Sequence, residues 1–100
     1  MDDFSWAIVK TYPKKSHLDE LDELNRHINE CQNLDIWSYL WDKKEYIRKM
    51  KALQSKYRDV SPILEHCVVE EQTAQRMNES LNHAAYILQK ALGRKEIIGK

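Results

Sequence analysis

From Val60 to Ala91 the residues Val60, Ile63, Cys67, Ala74, Met77, Leu81, Ala84, Leu88 and Ala91 recur in alternating steps of three and four. A chain with that period presents one apolar stripe when wound as an α-helix and none as a strand. The seam spans more than four heptads and fails only at Glu70, where the pattern asks for an apolar residue. Ser61 and Pro62 precede it as an N-cap and a first-turn proline, and Gly93 follows the last apolar pair as a helix terminator. The spacing predicts one long helix over 61–92 and a frayed tail over 93–100. At about 1.5 Å per residue that helix is roughly 45–50 Å long. The β-branched pair Val68-Val69 leaves a kink or a two-helix alternative open at that point.

Two shorter helices are predicted upstream. Leu18, Leu21, Leu24, Ile28 and Cys31 form one stripe, which places a helix over 16–33. It is acidic, with Asp19, Glu20, Asp22, Glu23 and Glu30 against Arg26. Asn33 or Asp35 then caps a helix over 35–59, whose apolar face is Ile36, Leu40, Ile47, Met50, Leu53 and Tyr57, widened by Tyr39 and Tyr46. Between Lys43 and Arg58 this segment carries seven basic residues and only Glu45 in opposition. Short turns make neighbours antiparallel, so the acidic helix lies beside the basic one. Residues 1–15 read as an arm or short helix. Phe4, Trp6 and Ile8 alternate like a strand, but the sequence offers no second strand to pair with.

Composition agrees with an all-α fold: an antiparallel three-helix bundle with a long C-terminal helix and a short N-terminal element. Two glycines and two prolines in 100 residues are too few for a turn-rich β-protein, and the length suits a single domain, 1–100. Sixteen basic and sixteen acidic residues balance, which argues against whole-molecule attraction to nucleic acid or anionic lipid. No apolar run approaches the ~20 residues of a membrane span, and Met1-Asp2-Asp3 lacks a basic secretory leader. Cys31 and Cys67 both fall on apolar positions and read as reduced core thiols of a cytoplasmic protein. The long helix outruns its neighbours. Part of its seam therefore needs other cover, from the N-terminal arm or from another chain, and a homodimer through that helix is the expectation.

Candidate functional residues are few. Trp37 and Trp41 lie one turn apart on a flank that continues through Lys44, Arg48 and Lys51. Tryptophan and arginine are typical hot-spot residues of protein interfaces, and basic groups beside aromatics also suit single-stranded nucleic acid. The third reading, given most weight, packs the two tryptophans under the N-terminal arm and pairs the basic residues with acidic groups of the first helix. Trp6 joins this set if the arm is mobile. Glu70 is the candidate register residue, a polar group within an apolar seam with Lys51 or Gln54 as partner if it is buried. Histidines 17, 27, 66 and 83 have no metal-ligand spacing, and neither cysteine has a close companion. No metal or cofactor is expected.

Two resemblances attach to the C-terminal half. Arg76 and His83, six residues between them, resemble the active-site motif of HEPN ribonucleases, which implies RNA cleavage across a helical dimer. Met77 stands where those enzymes commonly carry a polar residue, and the pair points away from the seam. The string Glu71-Gln72-Thr73-Ala74-Gln75-Arg76 is similar to the recognition helix of phage late-gene activators and sigma-like regulators. That likeness implies DNA reading, yet the stretch offers only Arg76 as a cation before Lys90. The residues favour a non-enzymatic interaction protein, an adaptor or inhibitor, that presents a helical face to another protein. A nucleic-acid-binding regulator is the alternative, and a HEPN-like ribonuclease the third reading. No membrane or small-molecule partner is expected.

Overall fold

The computed structural model describes residues 15–97. It is all-α, with no strand among the described residues: α1 (Lys15–Cys31), α2 (Ile36–Trp41), α3 (Lys43–His66), α4 (Glu71–Lys90) and α5 (Arg94–Ile97). The arm over 1–14, including Trp6, lies outside the described residues.

Three helices build the core. On α1 the sequence stripe is buried at Leu21, Leu24, Ile28 and Cys31, while Leu18 at its edge stays 38% exposed. On α3 the buried residues are Tyr46, Met50, Leu53 and Val60, and on α4 they are Thr73, Met77, Leu81, Ala84, Ile87 and Leu88. Ala91 and Ile97 close the same cluster, so the predicted fraying of the tail does not hold through α5. Gly93 adopts φ 68°, a conformation open to glycine at little cost, and turns the chain from α4 into α5.

Polar contacts give the helix directions. Lys56 Nζ on α3 lies 2.9 Å from Glu20 Oε1 and 2.7 Å from Glu23 Oε1 on α1, while the Cys31 thiol donates to the Lys49 carbonyl at 3.4 Å. The register thus descends on one helix as it rises on the other, and α1 and α3 are antiparallel. The Leu92 amide donates to the Tyr46 hydroxyl at 2.9 Å, which joins the end of α4 to the start of α3. Ser80 Oγ donates to Asn25 Oδ1 at 2.7 Å and ties α4 to α1. The acidic-against-basic pairing foreseen between the first two long helices is realised chiefly at Lys56. Its ammonium is held above its ordinary range by hydrogen bonds to Glu23 and Glu20.

The helix boundaries differ from the sequence expectation in two places. There is no continuous helix over 61–92. Instead α3 runs through Ser61 and Pro62 to His66, and the chain breaks at 67–70. A proline inside a helix costs about 3 kcal/mol, but it sits in the last turns of α3, where Val60 is fully buried and Ile63 and Leu64 pack on the core. Full burial of Val60 and partial burial of Ile63 and Leu64 offset that cost. At the break, Cys67 is extended (φ −103°, ψ 151°), the β-branched Val68 and Val69 follow, and Glu70 opens α4.

Glu70 is consequently not a register residue inside a seam. Its carboxylate accepts from the Thr73 amide and the Thr73 hydroxyl, both at 3.2 Å, and caps α4. Cys67, expected in the core, is exposed at the end of α3, whereas Cys31 is buried as foreseen. The uncovered seam expected on the long helix is absent from α4. The α4 seam is covered within the chain, with Met77 and Ala84 at 0% exposure and Leu81, Leu88 and Ala91 at 6%. A 20-residue α4 folded back along α3 leaves no overhang to cover.

Candidate protein-docking platform

The second departure creates the site. The predicted helix over 35–59 is interrupted at Asp42 (φ −150°, ψ 87°), which serves two helices. Its amide donates to the Ser38 carbonyl and ends α2; its Oδ1 accepts from the Glu45 amide at 3.1 Å and starts α3. Aspartate is among the best residues for this duty, because a short side-chain acceptor satisfies an orphan amide of the first turn. At the other end Asp35 accepts from the amides of Trp37 (3.0 Å) and Ser38 (3.1 Å), while Ser38 Oγ reaches back to the Asp35 amide. The six residues of α2 are therefore capped at both ends.

That cap-to-cap unit has no buried residue. Tyr39 anchors it, packing edge-on against Tyr46 of α3 at 5.3 Å between centroids, with Lys43 Nζ 5.7 Å from the Tyr39 ring. The other large side chains turn outward: Trp41 is 90% exposed, Trp37 73%, Leu40 65% and Ile36 53%. Positions 36, 37, 40 and 41 are helical neighbours and form one contiguous apolar face. Between α2 and the first turns of α3 runs a groove of about 560 Å³, with Leu34, Trp37, Leu40, Trp41 and Tyr46 as apolar walls and Ser38, Asp42, Glu45 and Lys49 as polar lining.

Of the sequence-predicted residues, Trp37 and Trp41 come together here. Lys44, Arg48 and Lys51 are exposed on α3 but do not line the groove, whose α3 side is made by Glu45, Tyr46 and Lys49. Arg48 is engaged with Glu45 through two hydrogen bonds, Nε to Oε1 at 2.9 Å and Nη2 to Oε2. The Arg48 bond holds the Glu45 carboxyl below the usual range. The basic row is thus partly neutralised, and Lys49 contributes the groove's cation. Ile36 and Leu40, assigned to the core from periodicity, belong to the platform. The overlooked signal was Asp42-Lys43-Lys44-Glu45, an N-cap residue followed three positions later by glutamate.

The other candidates fare less well geometrically. Arg76 and His83 are both exposed on α4. Around Gln72, Gln75 and Arg76 the exposed surface also carries Glu71 and Glu79, and Thr73 and Met77 face the core. A recognition helix must enter a groove of DNA with cationic or amide side chains, and α4 instead returns alongside α3. Among the described residues no cluster of three or more histidine, cysteine or acidic side chains could hold a metal ion. None of the described helices is long and apolar enough to cross a membrane. Comparisons with protein-family profiles, curated proteins and solved structures found no match to this chain.

Proposed function

We propose that this chain is a small non-enzymatic protein–protein interaction module, of the adaptor or inhibitor kind, that docks its target on the α2 platform. The observation that carries the reading is a capped helix with four large apolar side chains turned outward and none buried. Folding leaves such surface in water only at a cost, and contiguous exposed apolar patches typically mark interaction sites. Trp37 and Trp41 are the anchors, since truncating tryptophan at an interface commonly removes the most binding energy.

A small-molecule site is less well supported. Ligand pockets enclose most of their ligand, whereas a wall made by Trp41 at 90% exposure encloses little. A nucleic-acid surface along Lys44 and Lys51 has Asp42 and Glu45 standing among its cations and Arg48 already paired. The two free thiols, one of them exposed, fit work in the reducing cytoplasm.

The test compares immobilised wild type, Trp37→Ala/Trp41→Ala and Lys51→Ala in an extract of the native host. A target held by wild type and Lys51→Ala but lost by the double variant supports the platform. If every bound protein is retained equally by the double variant, the platform reading fails. Tight DNA or RNA binding that collapses with added salt would replace it with the phosphate-contact alternative.

A further inference from the structure

We infer that the break at 67–70 is a swap hinge: in concentrated protein α3 and α4 join through it into one helix, and two copies exchange their α4 segments. The turn that closes the hairpin holds no residue that favours a turn. Over 63–77 the chain has no glycine, proline, asparagine, aspartate or serine. Val68 and Val69 lower helix propensity only slightly. Meanwhile the seven-residue repeat runs straight across the break, because Val60, Cys67, Ala74, Leu81 and Leu88 share one stripe of an unbroken helix. Local preference therefore suits a helix through 67–70, and burial of the α4 face is what bends the chain back. That burial is blind to which copy supplies α4, since two copies of one chain offer identical sites.

The register fits. The Leu92 amide on the Tyr46 hydroxyl sets positions 46 and 92 side by side, and halfway between them lies Val69, inside the break. Two joined helices crossing antiparallel keep the same neighbours when their two-fold axis passes at Val69. Val68 and Val69, half-buried in the single chain, then lie beside those of the other copy. Ser80 of one copy meets Asn25 of the other, a contact made within one chain at 2.7 Å in the hairpin. The cost is electrostatic. Glu70 and Glu71 of both copies gather near the axis, and Glu70 gives up its cap on Thr73. Concentration must offset that cost, so the single chain prevails when dilute.

The exchange rests on the hinge and not on what docks at α2, but it has a consequence there. Because α2 precedes the start of α3, the joined helix over 43–90, about 72 Å long, carries one platform at each end of the pair. The swapped dimer is thus bivalent, and a target with two docking points is held more tightly than one platform allows.

The full chain unfolded in urea is refolded at about 1 mM and at about 1 µM and passed over a sizing column, since mass action favours exchange only among concentrated chains. The concentrated sample is expected to contain a dimer that persists for hours on dilution, because parting requires α4 to leave a formed core. Val68→Pro cannot sit in an unbroken helix but suits the site after the extended Cys67. It should weaken dimerisation at least a hundredfold and leave the monomer helical by circular dichroism. Glu70→Ala, which removes the cap, should strengthen dimerisation about tenfold. Asn25→Cys/Ser80→Cys in a Cys67→Ser background reports which chain supplies α4: oxidation should link the two chains of the dimer but close a loop within the monomer. Wild type that refolds only to monomer at the higher concentration overturns the proposal. So does a dimer whose link stays within each chain, or one that Val68→Pro leaves unchanged. A dimer lost on Trp37→Ala/Trp41→Ala and kept by Val68→Pro is a contact through α2, which overturns the exchange and leaves the docking reading intact.

Discussion

Replacing Trp41 by alanine should leave the stability of the monomer almost unchanged, although tryptophan is the largest apolar side chain available. A tryptophan can bury up to about 250 Å², and at 90% exposure Trp41 retains only about a tenth of that in contact with its own chain. At ~25 cal/mol per Å² the loss is about 0.6 kcal/mol. Alanine's higher helix propensity returns up to ~0.5 kcal/mol, so the net change lies close to zero. Leu53→Ala provides the scale. Leu53 is 0% exposed at the centre of the core, and truncation there should cost about 2–5 kcal/mol through lost transfer energy and a residual cavity. Urea unfolding followed by far-UV circular dichroism, at about 1 µM to keep the chain monomeric, separates the two. With a slope of ~1–2 kcal/mol per M the Trp41 variant shifts the midpoint by well under 1 M and the Leu53 variant by more than 1 M. A Trp41→Ala loss of 2 kcal/mol or more would refute the reasoning, because it would mean that the chain itself already covers the indole.

Acid should destabilise the fold in two stages. His27, with a side chain only 16% exposed, has its pKa lowered from 6.5, first by burial and then by Arg26, against the opposing pull of Glu30. The unfolded chain therefore binds the proton first: stability is complete above pH ~6.5 and falls as pH drops through the folded value. Glu23, held low by its hydrogen bond from Lys56, adds a further loss below its ordinary 4.5 as its carboxylate is protonated. Urea midpoints between pH 8 and 5 should fall, and His27→Gln should flatten that segment; a wild type more stable at pH 5 than at pH 8 contradicts the assignment. The two thiols should also separate cleanly. Burial pushes Cys31 up to about 11 and hides it, while Cys67 is exposed, so a thiol reagent at pH 7.5 should label Cys67 alone until urea unfolds the chain. Equal labelling rates in the native protein would contradict the burial of Cys31.

Periodicity made most of the fold legible. The stripes Leu21-Leu24-Ile28-Cys31 and Met77-Leu81-Ala84-Leu88 are local patterns, and each became the buried face of a helix. Charge placement also anticipated the meeting of α1 with α3, realised at Lys56 with Glu20 and Glu23. The site was only half legible. Trp37 and Trp41 stood out by residue type, but Ile36 and Leu40 shared the period of the core residues after them, and periodicity alone assigned them to it.

What the sequence by itself determined is the helical period, because each apolar stripe is a property of neighbours three and four apart. Where a helix ends was decided by the tertiary structure, since a boundary balances local preference against long-range burial. At Pro62 the full burial of Val60 and the partial burial of Ile63 and Leu64 carried α3 through a residue that locally favours a break. At Asp42 no such burial opposed the cap: Ile36 and Leu40 found no partner in the core, and the aspartate ended the helix. The long C-terminal helix expected from the seam was divided by the same balance. Folding α4 back onto α3 covers Met77, Leu81 and Leu88 within one chain, where a continuous helix outrunning its neighbours would have left part of its seam uncovered. The apolar surface left over therefore lies on α2, where two aspartates hold it in water.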